Sequence, residues 1–190
     1  MMRLVYGLAL ALVLGGLTHV STLLAVPKLA REGAYDRLGP LSADGRFVVL
    51  PDEAPGADIL PFRDPAFVTA ACRYDVSAGA VTIKAALPGT YGALSVHDRY
   101  GQPFYALTDK AAANGTVEVT VLSAEDVAAA EVEDAPEGRP ALRIVSPTKT
   151  GFVLVRLFAT AESARPSLRE AAATASCARA ASRTLSPDRP

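Results

Sequence analysis

The side chains best suited to chemistry in this sequence stand close together. His97, Asp98 and Arg99 are adjacent, and Tyr91, Tyr100, Phe104 and Tyr105 surround them. Seven of the twelve Phe and Tyr residues fall between Phe62 and Tyr105. Aromatic rings beside a few polar groups could line the open end of a domain and hold a small ligand or a partner. The competing reading, which we favour, makes Phe104 a core residue and the tyrosines caps on sheet edges. As a catalytic base His97 has little support. It is one of two histidines, and it falls on the polar, solvent-facing side of the alternation of Leu94 and Val96. No Gly-x-Ser-x-Gly elbow, phosphate loop or dinucleotide fingerprint is present. Two histidines and two distant cysteines make no clustered metal-ligand set. Asp75, Asp98 and Asp109 sit at turns, where aspartate ordinarily shapes the backbone. We therefore assign no catalytic residue, cofactor or metal.

Cys72 and Cys177 are the two cysteines. Each falls in or beside an expected helix, so strand alternation does not constrain either. A bond between them would close a loop of about 105 residues and mark an oxidising compartment. The alternative is two unrelated buried thiols, since free cysteine packs as a small hydrophobe. Sequence leaves both open.

The elements around these residues follow from composition and period. The chain has 190 residues, 50% hydrophobic and 21% charged, with a net charge of -1. Neither wholesale disorder nor general nucleic-acid binding suits that balance. Leu4 to Val26 contains no Asp, Glu, Lys or Arg. As a helix it reaches about 34 Å, enough to cross a hydrocarbon core of about 30 Å. It is longer than a signal-peptide core, and Leu23-Leu24-Ala25 makes a poor cleavage site, so an uncleaved transmembrane anchor is expected over residues 1–26. Lys28, Arg31 and Arg37 follow it, which by charge count favours a cytoplasmic domain. A short tail before one apolar run is nevertheless the layout of a signal anchor, and we favour translocation. His19 lies near the end of the run beside Thr18, Ser21 and Thr22, close enough to the interface to reach water.

Residues 27–45 read as a juxtamembrane connector with a helical stretch around Lys28 to Leu38, and residues 46–182 as a soluble β-rich domain. Arg46 to Pro51 is the first expected strand, followed by a proline- and acid-rich loop to Pro65. Asp64-Pro65 suits a helix start, so a short helix is expected to Cys72. Strands are expected where apolar residues alternate, around Val81 to Ala85, Leu94 to His97, Phe104 to Ala106 and Val117 to Val121. Phe104 and Ala106 share a face there and Tyr105 takes the other. Pro88-Gly89, Asp98 to Gly101 and Asn114-Gly115 supply turns. A surface helix from Ser123 to Val132 and an acidic loop to Arg139 come next, then strands at Ala141 to Val145 and Gly151 to Phe158. The last of these is apolar on both faces apart from Arg156, so it is central. Pro166 to Ser182 reads as a terminal helix and residues 183–190 as a loose tail. The fold class is mainly β, an antiparallel β-sandwich or jelly-roll-like domain of about seven strands with a few short helices, behind one transmembrane helix.

Cys72 to about Phe158 resembles a bacterial domain-of-unknown-function family, number twelve fifty-four. The likeness rests on Tyr74-Asp75, the strand Ala80 to Ala86, the turn Leu87-Pro88-Gly89-Thr90-Tyr91, the stretch Leu94 to Gly101 with Phe104, and Ser146-Pro147-Thr148-Lys149-Thr150-Gly151 leading to Arg156. The whole chain is similar to the short, single-anchor proteobacterial version, with Pro27, Tyr35-Asp36 and Cys177 in the matching places. The resemblance implies a β-sandwich-like domain on the cell envelope, often encoded beside a companion of similar type. It carries no established chemistry. The expected function is a non-enzymatic binding or structural module of the inner membrane facing the periplasm. The alternative is a small-ligand binder or enzyme using the region from Tyr91 to Asp109, with Tyr91, His97, Asp98, Arg99, Tyr100 and Tyr105 as its surface.

Overall fold

The structure, a computed structural model, describes residues 1–29, 33–42, 45–52, 59–60, 63–88, 90–130 and 142–180, without the side chains of residues 27–28 and 128–130. Most of the expected loop before Pro65, Gly89 of the Pro88-Gly89 turn, the acidic loop to Arg139 and the tail 183–190 lie outside the described residues. The chain forms two compact units, Met1–Gly33 and Ala34–Pro190.

The first unit is the helix α1, Met2–Leu29. Its Met2–Val26 portion is long and apolar enough to cross a membrane by length and composition. The hydroxyls of Thr18 and Thr22 donate back to the carbonyls of Leu14 and Thr18, at 2.9 and 2.8 Å. These bonds satisfy polar side chains without any partner outside the helix.

In the second unit the elements run α2 (Ala34–Leu38), β1 (Val48–Val49), β2 (Phe67–Asp75), β3 (Val81–Ala86), β4 (Gly92–Asp98), β5 (Pro103–Thr108), β6 (Thr116–Leu122), α3 (Ala124–Ala130), β7 (Leu142–Val145), β8 (Thr150–Phe158), α4 (Arg165–Ala173) and β9 (Ser176–Arg179). Among the described residues the nine strands make two sheets, one ordered β1-β2-β8-β4-β5 and the other β7-β6-β3-β9. The mainly antiparallel β fold expected from period two is what forms. One pair departs from it: β6 and β7 are parallel, and residues 123–141, including α3, provide the long connection that parallel strands require. The core joins Val68, Ala70 and Tyr74 of β2, Leu94 and Val96 of β4, and Val153, Val155 and Leu157 of β8 to Ile83, Val117, Val119 and Val121 of the other sheet. As the unbroken apolar run implies, β8 is central, between β2 and β4. Asn114 and Gly115 adopt positive φ, +54° and +72°, in the tight turn before β6.

Four local expectations are corrected. Residues 67–75 are a strand, not the end of a helix begun at Asp64. The Asp64 carboxylate accepts the N–H of Ala66 at 2.8 Å, and the Asp64 carbonyl accepts that of Phe67, so Asp-Pro shapes a turn into the strand. The nine-residue ladder with β8 then outweighs the helical bias of the alanines. At the other end α4 stops at Ala173, and Ser176–Arg179 becomes an edge strand on β3. Both cysteines therefore lie on strands. The strand expected from Arg46 to Pro51 shrinks to Val48–Val49, with Arg46 making an isolated bridge to Ser176. A register shift between Val96 and His97 makes Phe104 an extra residue on β5. Both Phe104 and Tyr105 pack on the core as a result, while Ala106 is exposed, which reverses the expected alternation.

Candidate functional site

The register across β2, β8 and β4 sets Arg73, Phe152 and His97 side by side on the face of the five-stranded sheet away from the main core. The helix α2 lies over this face. Its Tyr35 and Leu38 are buried with Leu50, Leu60, Ala71 and Phe152 in a second, smaller apolar cluster. Two guanidinium groups lie over the Tyr35 ring, with Arg73 4.1 Å and Arg99 4.7 Å from its centroid. Arg73 also donates to the Tyr35 hydroxyl at 2.9 Å, and Arg99 to the Asp36 carboxylate at 3.1 Å.

His97 is half-buried and stacked flat on Phe152, with centroids 4.7 Å apart. It is not the solvent-facing residue that alternation suggests, because α2 and Phe152 turn this face of the sheet into a second interior. Its Nδ1 lies 3.2 Å from the Gly101 carbonyl and its Nε2 2.9 Å from Ser95 Oγ. A carbonyl can only accept, so Nδ1 carries the proton and the Ser95 hydroxyl donates to Nε2. Burial lowers the pKa of His97 from 6.5, Arg156 lowers it further, and the Gly101 bond and Asp98 oppose the shift. Asp98 is buried and accepts the backbone N–H groups of Tyr100 and Gln102, each at 2.9 Å, which closes the turn between β4 and β5.

Behind this turn the Tyr74 hydroxyl lies 3.1 Å from the His97 carbonyl and 3.0 Å from Ser146 Oγ. Ser146 in turn donates to the Thr148 carbonyl at 2.6 Å, and Thr148 Oγ1 accepts the Arg99 N–H at 3.1 Å. Burial pushes the Tyr74 hydroxyl up to about 12 against the opposing bond from Ser146. A Cβ on Gly151 would collide with the Tyr74 hydroxyl and the His97 carbonyl, so glycine lets the two strands close here. Ser-Pro-Thr-Lys-Thr-Gly is thus a structural clasp.

The structure gathers His97, Asp98, Arg99 and Tyr100 at one end of β4. Tyr91 precedes the other end, seven strand residues away, or about 20 Å, and packs edge-on against Phe67. Tyr105 lies on β5 opposite Val96. The six do not form one surface. Tyr100 is exposed at 63% and stacks on no other ring among the described residues, whereas Arg99, His97 and Asp98 are taken up in holding α2 and the turn. Sequence reading missed Arg73, Ser95 and Ser146. The misplaced helix hid Arg73, while Ser95 needed only its i, i+2 spacing from His97 on a strand to be found. Among the described residues no group of three His, Cys, Asp or Glu could hold a metal ion. A cleft of about 160 Å³ lined by Gly45, Tyr74, Asp75, Val81, Cys177 and Arg179 is smaller than ordinary ligand pockets.

Cys72 of β2 and Cys177 of β9 are joined as a disulfide, with Cα atoms 6.5 Å apart. The bond ties one sheet to the other across 105 residues of sequence.

The model of the family "Protein of unknown function (DUF1254)" matches residues 64–179, from the Asp64 turn to the end of β9. The chain belongs to this family. No curated protein matches the sequence. The DUF1254 fold is similar to the crystal structure of the VPA0106 protein from Vibrio parahaemolyticus, at a TM-score of 0.55 and 10% identity, over 83% of this chain and 38% of that one. A structure of an uncharacterized protein from Burkholderia cenocepacia aligns at a TM-score of 0.40 and 14% identity, over 60% of this chain and 32% of that one. The chain thus spans well under half the length of the solved proteins it matches. The DUF1254 match includes the disulfide, the Tyr74–Ser146 clasp and the β4–β5 turn, but not α2.

Proposed function

We propose that this chain is a membrane-tethered binding or structural module of the cell envelope, with its β domain on the periplasmic side of the inner membrane. One observation carries the reading, the Cys72–Cys177 disulfide that staples the two sheets. Such bonds persist in oxidising compartments and are rare in the cytosol. The apolar α1 supplies the tether. Action by contact rather than catalysis is supported by the duties of the titratable side chains. Both nitrogens of His97 are engaged in bonds that hold strand and turn, and Asp98 closes the same turn. A companion envelope protein, as the family resemblance implies, is the partner class we favour.

A second reading, an enzyme or small-ligand binder at the β4–β5 end, has one observation in its favour. A neutral His97 beside the Ser95 hydroxyl is the pairing of a base with a nucleophile. Ser95 is buried, however, at 4% exposure, which favours a structural bond.

Topology labelling tests the proposal. Lys84→Cys places a thiol on an exposed position of β3, and both native cysteines are already bonded. A membrane-impermeant maleimide should label this variant in cells whose outer membrane is permeabilised. Labelling only after lysis of the inner membrane would put the domain in the cytoplasm and end the proposal.

A further inference from the structure

The four ends of the two sheets are not alike. β1 is two residues long, and β7 and β9 are four residues each and carry Arg143 and Arg179. Shortness and charge are the ordinary means by which an edge strand is kept from pairing. β5 has six residues, Pro-Phe-Tyr-Ala-Leu-Thr, and no charge among them. It ends the five-stranded sheet, and no described strand pairs with its outer side. Pro103 and the bulge at Phe104 occupy its start, which leaves Tyr105 to Thr108 in regular register with Ala93 to Val96. Phe104 and Tyr105 pack on the core yet stay half-buried at this rim of the sheet.

We propose that β5 is a docking edge for a second copy of this chain, the two strands pairing antiparallel about a twofold axis to join two five-stranded sheets into one. The sequence of β5 suits pairing with itself. A twofold axis perpendicular to the sheet keeps the core face of one copy level with that of the other, so each residue must meet one on the same face. Centred on the exposed Ala106, this places each Ala106 across from its counterpart, and Tyr105 across from Leu107 on the core side. An aromatic ring against an aliphatic one is a favourable cross-strand pair, and no like charges are brought together. A membrane tether also holds copies in one plane and one orientation, which raises their effective concentration. Gly7, Ala11, Gly15, Thr18 and Thr22 fall on one face of α1 and leave room for a parallel helix, but β5 carries the proposal.

The test uses the full chain in lipid nanodiscs. Because both native cysteines are bonded, Ala106→Cys adds the one reactive thiol, and Lys84→Cys is the control on the other sheet. Mild oxidation should convert most of the Ala106→Cys protein to a covalent dimer and leave the control monomeric. Ala106→Lys, outward-facing and compatible with the fold, should halve the number of chains per particle with an unchanged circular dichroism spectrum. A wild-type particle holding one chain would overturn the proposal. So would an Ala106→Cys protein that crosslinks no more than the control, including the case where β5 engages a different protein.

Discussion

The ring of His97 lies on that of Phe152 with the two planes 6° from parallel. The contact extends the small apolar cluster that α2 roofs over one part of the outer face of the five-stranded sheet, and it has a consequence for pH. Burial holds the folded pKa of His97 below 6.5, so the fold prefers the neutral ring. The unfolded chain then binds the proton more readily. The contribution of His97 to stability is complete above about pH 6.5 and is lost as pH falls below that value toward the folded pKa. The thermal midpoint of the wild type should therefore drop more between pH 7 and 5 than that of His97→Gln. Parallel pH profiles for the two proteins would contradict this assignment.

Gly151 closes the clasp behind the site. Gly151→Ala should cost about 1–3 kcal/mol, the usual range for an overpacked contact, read from urea unfolding. Tyr74→Phe removes one of the three atoms that the new methyl would meet, the hydroxyl oxygen, and leaves the ring carbon Cζ and the His97 carbonyl oxygen. The double variant should accordingly be less destabilised than the two single effects added together. Strict additivity would show that the collision is relieved elsewhere.

Tyr35, under the Arg73 and Arg99 guanidinium groups, helps fix α2 to the sheet beside the buried Leu38. A double-mutant cycle of Tyr35→Leu with Arg99→Ala should give a coupling of about 0.5–1 kcal/mol, since the Arg99 side chain is partly in water. Arg99→Lys should recover little of it, because an ammonium cannot stack its plane on the ring. The coupling should survive 0.5 M salt better than the Arg99–Asp36 ion pair does.

Period two made β3, β4 and β6 legible, and an unbroken apolar run did so for β8, because each has one or both faces in the core. Val81, Ile83 and Ala85 are buried where Thr82 and Lys84 are not. What sequence concealed was decided by partners far along the chain. The segment Ala66 to Cys72 looks helical, and from Phe67 on it forms β2 because β8 offers a full ladder. β9 lies among alanines suited to a helix, yet β3 and Cys72 hold it extended. The bulge at Phe104 turned Tyr105 inward, and no local pattern announces one extra residue. The site was legible as a neighbourhood and not as an arrangement. His97, Asp98 and Arg99 were found together, while Tyr35 and Arg73, which give that end of the sheet its structure, come from 62 and 24 residues upstream of His97.

The central claim is that a disulfide-stapled domain stands behind a membrane tether, and counting thiols tests it most directly. The chain should be extracted from membranes under acid quench, denatured, and alkylated before and after reduction, with the mass read intact. The account predicts no added label before reduction and two after it, on a monomer. It also predicts that reduction lowers stability by about 4–5 kcal/mol for a loop of 105 residues in the chain-entropy view. Two labels on the unreduced chain would show Cys72 and Cys177 as free thiols, and would remove the main support for a periplasmic domain.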